Sequence, residues 1–326
     1  MKGISGLSAG VRQYLVITGN YWAFTLTDGA LRMLVVLHFH SLGYSPLQIA
    51  LLFLFYEFFG VVTNLVGGWV GARIGLNRTM NIGLGLQVLA LCMLLVPSAM
   101  LTVTWVMGAQ AVSGIAKDLN KMSAKSSIKF LFSGNLALEN EQGRLYKWVA
   151  LLTGSKNALK GVGFFLGGLL LTLLGFHDAV LAMVIVLALV WLASLVTLRQ
   201  DLGKAKSKPK FTTIFSKSSA INTLSLARLF LFGSRDVWFV VALPVYLSTT
   251  FGWDYWSVGG FLASWVIGYG IVQAFAPRFT GKSKGGVPDG KSAFGWAVAL
   301  LVVLVLIALA MIVDLRPGLT LTGGLL

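Results

Sequence analysis

Residues 148–198 read WVALLTGSKNALKGVGFFLGGLLLTLLGFHDAVLAMVIVLALVWLASLVTL. Within this stretch only two lysines and one aspartate carry a full charge at neutral pH. A helix that crosses the hydrocarbon core of a bilayer needs about 20 apolar residues. The stretch is therefore long enough for two crossings, and we predict membrane-spanning helices over 148–174 and 178–198.

Similar apolar runs recur along the whole chain. Of its 326 residues, 56% are hydrophobic and only 11% are charged, whereas soluble domains carry about 25% charged residues. A soluble domain could not bury this much apolar surface, so we predict an all-α membrane protein with about nine complete helices. The remaining predicted helices are 14–38, 47–71, 80–100, 102–121, 222–248, 255–276 and 294–313, and a tenth begins within 319–326.

The net charge of +15 would suggest a nucleic-acid partner in a soluble protein. Here the basic residues concentrate in alternate loops, which is the pattern that sets membrane topology. We therefore expect no nucleic-acid partner, and we place the N-terminus and these loops in the cytoplasm. The basic residues of these loops are Arg73, Arg78, Lys125, Lys129, Arg144, Lys147, Arg199, Lys204, Lys206, Lys208, Lys210, Lys217, Arg278, Lys282, Lys284 and Lys291.

A weak internal repeat relates the two parts of the chain. The loop that contains Gly43 and the loop that contains Gly252, 209 residues later, each have a glycine followed by an aromatic residue. Ser45 in the first loop and Asp254 in the second are then placed to cap the N-terminus of the next helix. Parallel repeats of six helices are typical of major-facilitator transporters, so we predict a pseudo-symmetric helix bundle of the major-facilitator type.

The repeat divides the chain into three segments. We predict a six-helix N-terminal bundle over 1–198 and a basic cytoplasmic linker over 199–221. The segment 222–326 has room for three helices and the start of a fourth, so we expect its bundle to be incomplete.

The sequence GWVGARIGLNR at 68–78 resembles the major-facilitator signature between the second and third helices. That signature carries an acidic residue before its first basic residue, and here the position is Ala72. The resemblance therefore implies the fold. Because Ala72 has no carboxylate, the resemblance does not imply the ion pair that the signature normally supplies.

Three longer runs resemble the ArsJ-type organoarsenical efflux permeases of bacteria. They are GNYWAFTLTDGALRMLVVLHFHSLGYSPLQIA (19–50), GIAKDLNKMSAKSSIK (114–129) and LTGSKNALKGVGFFLGG (152–168). The resemblance implies export of 1-arseno-3-phosphoglycerate through the cytoplasmic (inner) membrane. It also implies a functional link, without physical contact, to glyceraldehyde-3-phosphate dehydrogenase, which forms this compound when it accepts arsenate.

Ionisable residues inside predicted spans are costly to bury and usually serve function. Arginine can bind phosphate or arsenate oxygens with two parallel hydrogen bonds, and lysine supplies a mobile point charge. An excess of such cations calls for an anionic small-molecule substrate. The candidate substrate-binding residues are Arg32, Lys121, Lys156, Lys160 and Arg235, and the candidate ion-coupling residues are Asp28, Glu57 and Asp236.

Each candidate also has a structural interpretation. Arg32 could serve only to neutralise Asp28, one helical turn away, and Arg235 could pair with its neighbour Asp236. The two lysines of helix 148–174 could reach the cytoplasmic surface along their own side chains. Glu57 is either a proton carrier or a neutral acid bonded to another helix.

Two further patterns have alternative explanations. Lys117, Lys121, Lys125 and Lys129 recur every four residues, which predicts either an electropositive vestibule for anions or ordinary cytoplasmic charge at the end of a helix. The glycines at 154–168 partly match the glycine-rich helix of antiporters, but that motif's proline is missing. Close packing of helices is the simpler explanation.

The favoured function is secondary active efflux of an anionic organo-arsenate or organophosphate. The acidic residues inside the predicted spans could couple this efflux to protons. The alternatives are transport of a drug, a sugar or another organophosphate by the same fold, and a membrane-embedded enzyme. The sequence lacks a credible catalytic cluster, so we expect no enzyme activity, cofactor or metal. Transport of trivalent arsenic itself is disfavoured, because that species binds several thiols and Cys92 is the single cysteine.

Overall fold

A computed structural model describes residues 9–128, 141–198, 218–236, 239, 243, 246–247, 251–280 and 290–312. Helices make up nearly all of this part of the chain, and it contains no strand. The prediction of an all-α protein is therefore confirmed. Most of the predicted linker, residues 199–217, and the predicted tenth helix at 319–326 lie outside the described residues.

The described part of the chain contains nine α-helices. A short 3₁₀ turn, Ser98–Met100, precedes the fifth helix. The helices are α1 (Ala9–Ser41), α2 (Pro46–Leu52), α3 (Leu54–Ile74), α4 (Leu76–Met93), α5 (Val103–Ser127), α6 (Glu141–Thr197), α7 (Ser219–Asp236), α8 (Tyr255–Thr280) and α9 (Gly290–Ile312).

The long helix α6 contains the two spans expected from its sequence. Gly175 interrupts it with φ 75° and ψ 179°, a conformation that glycine adopts without the steric cost of a side chain. The break therefore falls between the predicted helices 148–174 and 178–198. By contrast, the single helix predicted over 47–71 is divided at Phe53 into α2 and α3.

The two related loops also have related geometry. Gly43 and Gly252 both have positive φ, 85° and 64°, as a turn that reverses the chain at a helix end requires. Ser45 caps α2 with a capping box. Asp254, just before α8, accepts a hydrogen bond of 2.8 Å from the backbone amide of Ser257. The hydrogen bonds that it accepts from Ser257 lower the pKa of the Asp254 carboxyl group. The predicted N-caps are therefore confirmed.

Helix α6 lies at the centre of the packing. It contacts α1 along most of its first span and α8 on another face, while α5 packs between α3 and α4. The main core is apolar and includes Phe24, Leu34, Leu84, Leu91 and Leu187. This arrangement brings α1, α3, α5 and α6 together around a common interior, where the polar residues discussed below lie.

Three helical stretches among the described residues are long and apolar enough to cross a membrane by length and composition. They are Leu47–Ile74, Leu145–Thr197 and Trp256–Arg278. The second, with 53 residues, is long enough for two crossings at about 20 residues each. Helix α9 presents apolar side chains such as Leu301 and Leu304 on its exposed surface, as contact with lipid requires.

Glycines on α6 allow both of its neighbours to approach closely. A Cβ atom at Gly163 would lie 2.5 Å from the Leu26 carbonyl oxygen of α1. On the other side, a Cβ atom at Gly161 would lie 2.7 Å from the Ala263 carbonyl oxygen of α8. Real Cβ atoms do not approach backbone oxygens this closely. The interpretation of these glycines as helix-packing positions is therefore confirmed.

Substitution of Gly29 tests this packing. In Gly29→Ala the new methyl group would lie 2.6 Å from the Lys160 carbonyl oxygen, so α1 and α6 must separate. We expect the variant to lose about 1–3 kcal/mol of stability, measured as a lower melting temperature of the detergent-solubilised protein. Gly19→Ala, on the same helix but with no atom within 4 Å of the added group, is the control and should melt like the wild type. Equal melting of the two variants would contradict the packing.

Candidate functional site

Charged residues from four helices meet inside the first half of the bundle. Basic side chains come from α1, α5 and α6, and acidic side chains come from α1, α3 and α5. Ion pairs and electrostatic interactions connect them into one group. We call this group the charge cluster, and its members are Arg32, Lys117, Lys121, Lys156, Lys160, Asp28, Glu57 and Asp118. With every member ionised, its formal charge is +2.

Glu57 of α3 bridges two cations of the cluster. Its carboxylate accepts a hydrogen bond from Arg32 Nη2 at 2.9 Å and one from Lys117 Nζ at 3.3 Å. Pairing of Arg32 with Asp28 is one of the two interpretations that the sequence leaves open, and in the structure the carboxylate bonded to Arg32 is that of Glu57. An acid held between two cations favours its ionised form. This geometry does not fit the interpretation of Glu57 as a neutral acid.

Asp28 is instead engaged by a phenol. The Tyr56 hydroxyl donates a hydrogen bond of 2.6 Å to Asp28 Oδ1, and both side chains are buried. The Tyr56 ring also lies beside two cations, 4.8 Å from the Arg32 guanidinium carbon and 4.1 Å from Lys117 Nζ. Cations at such distances from an aromatic ring gain about 0.5–2 kcal/mol each. Tyr56 therefore joins the acid of α1 to the cations around it.

Asp118 of α5 holds the lysines of its own helix. This buried carboxylate accepts a hydrogen bond of 2.8 Å from Lys121 and lies 3.8 Å from Lys117 Nζ. Lys121, predicted to bind substrate, is therefore already paired in this structure. Tyr56 and Asp118 are not among the residues predicted from sequence. Each is a direct neighbour of a charged residue singled out there, and this adjacency was the available signal.

The two lysines of α6 are paired differently. Among the described residues, neither Lys156 nor Lys160 has a carboxylate within 4.0 Å. Lys156 Nζ donates to the Asn157 side-chain oxygen at 3.1 Å, and Lys160 Nζ lies 5.8 Å from the centre of the Phe164 ring. Both side chains are only partly exposed. They are therefore the cations of the cluster that remain available for an anion.

One donor of Arg32 also remains available. Its Nε atom is buried and has no hydrogen-bond partner in the described part of the protein. A buried donor without a partner costs about 1–3 kcal/mol. An anionic group placed next to this edge of the guanidinium would recover that energy.

The cluster does not include every predicted site residue. Arg235 and Asp236 lie at the end of α7, and their side chains are outside the described part of the structure. The other six predicted residues, Asp28, Arg32, Glu57, Lys121, Lys156 and Lys160, all belong to the cluster.

Two similar solved structures are a peptide transporter POT in complex with sulfate and a mutant of that transporter, also with sulfate. The first is 16% identical with a TM-score of 0.46, and the alignment covers 81% of this chain and 50% of that one. The second is 14% identical with a TM-score of 0.44, covering 78% and 49%. The chain thus spans about half the length of both structures. No curated protein sequence matches it.

The family profile is more informative, because it extends over nearly the whole chain. The profile described as Major Facilitator Superfamily matches residues 15–325. This range contains all of the charge cluster and eight of the nine helices in full. The chain belongs to the Major Facilitator Superfamily, a family of multi-pass membrane transporters.

Proposed function

We propose that this protein is a secondary active transporter that exports an anionic organo-arsenate or organophosphate from the bacterial cytoplasm. The observation that carries the proposal is the pair of lysines on α6. Lys156 and Lys160 belong to the charge cluster, whose formal charge is +2, and neither has a carboxylate partner among the described residues. Such cations are costly in a membrane, and an anionic substrate would offset that cost.

The chemistry of the donors favours an oxyanion ester. Lysine ammonium groups and a guanidinium edge bind phosphate and arsenate oxygens through charge-assisted hydrogen bonds. A neutral sugar would leave the excess charge unpaired, and a cationic drug would be repelled by it. Trivalent arsenic is a poor candidate because it binds thiols, and Cys92 is the one cysteine of the sequence. The resemblance to organoarsenical permeases supports 1-arseno-3-phosphoglycerate as the substrate.

The acids of the cluster supply candidates for ion coupling. Glu57 is the more accessible, with a side chain that is 48% exposed, and it shares its cations with any anion that enters. A substrate that draws Arg32 or Lys117 away would leave Glu57 less well paired and therefore easier to protonate. We propose Glu57 as the residue that takes up the coupling proton. We also propose that the N-terminus and the basic loops lie in the cytoplasm.

Uptake into everted membrane vesicles tests this function. The arsenate ester would be generated in the assay by glyceraldehyde-3-phosphate dehydrogenase, and uptake would be measured with and without a proton gradient. We expect gradient-stimulated uptake of the arsenate ester and of 3-phosphoglycerate, and no uptake of glycerol beyond that of vesicles that lack the protein. Vesicles that accumulate the neutral compound and exclude both anions would contradict the proposal.

A further inference from the structure

Lys156 lies where the charge cluster meets the contact between α6 and α8. Its ammonium group is close enough to Lys160, Asp28 and Lys117 to interact with them electrostatically. The same group donates a hydrogen bond of 3.1 Å to the side-chain oxygen of Asn157. Residues that are adjacent on a helix point in different directions, so Lys156 can face the cluster while Asn157 faces the neighbouring helix.

Asn157 connects this lysine to α8. Its amide nitrogen donates a hydrogen bond to the side-chain oxygen of Gln273. An ammonium group has donors only, so Asn157 must present its oxygen to Lys156. That orientation leaves the NH₂ group of Asn157 for the acceptor on α8. One amide therefore satisfies Lys156 and Gln273 at the same time, and its orientation is set by both.

The helices around this amide are in close contact. A Cβ atom at Gly154 would lie 2.5 Å from the Gly270 carbonyl oxygen, and one at Gly270 would lie 2.5 Å from the Ala158 nitrogen. A hydrogen bond is lost when donor and acceptor separate beyond about 3.5 Å. A small shift of α8 away from α6 would therefore break the bond between Asn157 and Gln273 and release the amide.

We infer that Asn157 is a positioning residue that links the orientation of the Lys156 ammonium to the contact between α6 and α8. The inference rests on the proposed function for its role in transport. When the helices touch, Gln273 holds Asn157 and Asn157 holds Lys156. When an anion draws Lys156 away, the amide is free to turn and its bond to α8 weakens. Because linkage is reciprocal, separation of the helices must in turn change the affinity of Lys156 for the anion.

The chemical reactivity of the two lysines tests the link without a substrate. The purified full-length protein would be treated with formaldehyde and cyanoborohydride, and methylation at Lys156 and Lys160 would be measured by mass spectrometry. Lys160 is the internal reference. We expect Gln273→Ala to raise the ratio of Lys156 to Lys160 methylation about fivefold, as the loss of one hydrogen bond implies. Asn157→Ala should have a similar effect, and the double variant should show no further rise.

A second hydrogen bond between the same helices provides the control. The Tyr146 hydroxyl and the Thr280 hydroxyl lie 2.9 Å apart, and neither residue touches Lys156. Tyr146→Phe removes this bond and should leave the methylation ratio unchanged. The inference would be overturned if Gln273→Ala left the ratio unchanged, if the two amide variants acted additively, or if Tyr146→Phe raised the ratio as much as they do.

Protection by an anion separates this inference from the proposed function. Addition of 3-phosphoglycerate should slow methylation of both lysines in the wild type. Absence of protection, together with the expected response to Gln273→Ala, would refute the proposed function and leave the positioning role intact. Protection without that response would refute the positioning role alone. In Gln273→Ala we expect Lys156 to be protected at lower concentrations of 3-phosphoglycerate, because the anion no longer competes with the hydrogen bond that ties Asn157 to α8.

Discussion

Replacement of both α6 lysines, Lys156→Met with Lys160→Met, is expected to abolish transport of anionic esters while the protein still folds. Methionine keeps most of the apolar side-chain volume and removes the two charges. Each charge-assisted hydrogen bond contributes about 1.5–3 kcal/mol, so loss of both should lower uptake by roughly 100-fold or more. Removal of partly exposed cations that lack carboxylate partners inside the bundle should also leave the melting temperature unchanged or higher.

Lys147 supplies the matched control for this experiment. It lies on the same helix, and its side chain is exposed. Lys147→Met with Lys156→Met removes the same number of charges but keeps Lys160 in the cluster, so it should retain measurable uptake. Equal uptake by the wild type and the Lys156→Met, Lys160→Met variant would remove both lysines from the binding site.

Glu57→Gln is expected to impair the protein by a different route. The change leaves Arg32 and Lys117 without the acid that bridges them at 2.9 and 3.3 Å. Arg32 is buried, whereas the Glu57 side chain is 48% exposed, so we expect a cost of about 1–3 kcal/mol, as for a buried donor left without its partner. We therefore expect a clear loss of folded protein in detergent, measured by size-exclusion chromatography and thermal melting. Any protein that folds should lose gradient-driven uptake if Glu57 carries the coupling proton.

A second substitution identifies the partner of Arg32. Addition of Arg32→Gln to Glu57→Gln removes the unpaired cation and should restore much of the melting temperature. Addition of Asp28→Asn to Arg32→Gln should restore less, because Asp28 is bonded to Tyr56 rather than to Arg32. The assignment of Glu57 would fail if Asp28→Asn rescued Arg32→Gln better than Glu57→Gln did. Unchanged gradient dependence in a folded Glu57→Gln variant would exclude the proton role.

The helical architecture could be predicted from sequence because membrane-spanning segments are defined by local composition. The long apolar run around Gly175 and the glycine-aromatic loops at Gly43 and Gly252 each indicated a feature that the structure contains. The helix break at Phe53 could not be foreseen in the same way. Phenylalanine carries no strong turn signal, and the apolar pattern continues through it without interruption.

The contacts between residues of the candidate site were harder to predict than the identity of those residues. Asp28 and Arg32 are four residues apart, which made them the natural partners on one helix. Their actual partners, Tyr56 and Glu57, come from α3, and their position depends on how α3 and α1 each pack against α5. Sequence spacing describes contacts within a helix, while contacts between helices depend on tertiary packing. For the same reason, nothing local indicated that Asn157 would meet Gln273, 116 residues later.

Binding to the purified protein tests the central claim, that the cluster is an anion site, most directly. Titration calorimetry would compare 3-phosphoglycerate, glycerate and glycerol, which share a three-carbon skeleton and differ in charge. We predict measurable binding of 3-phosphoglycerate, binding of glycerate that is weaker by about tenfold or more, and no binding of glycerol. The affinity for 3-phosphoglycerate should disappear in the variant with Lys156→Met and Lys160→Met. Binding that is independent of ligand charge, or unaffected by loss of both lysines, would contradict the account.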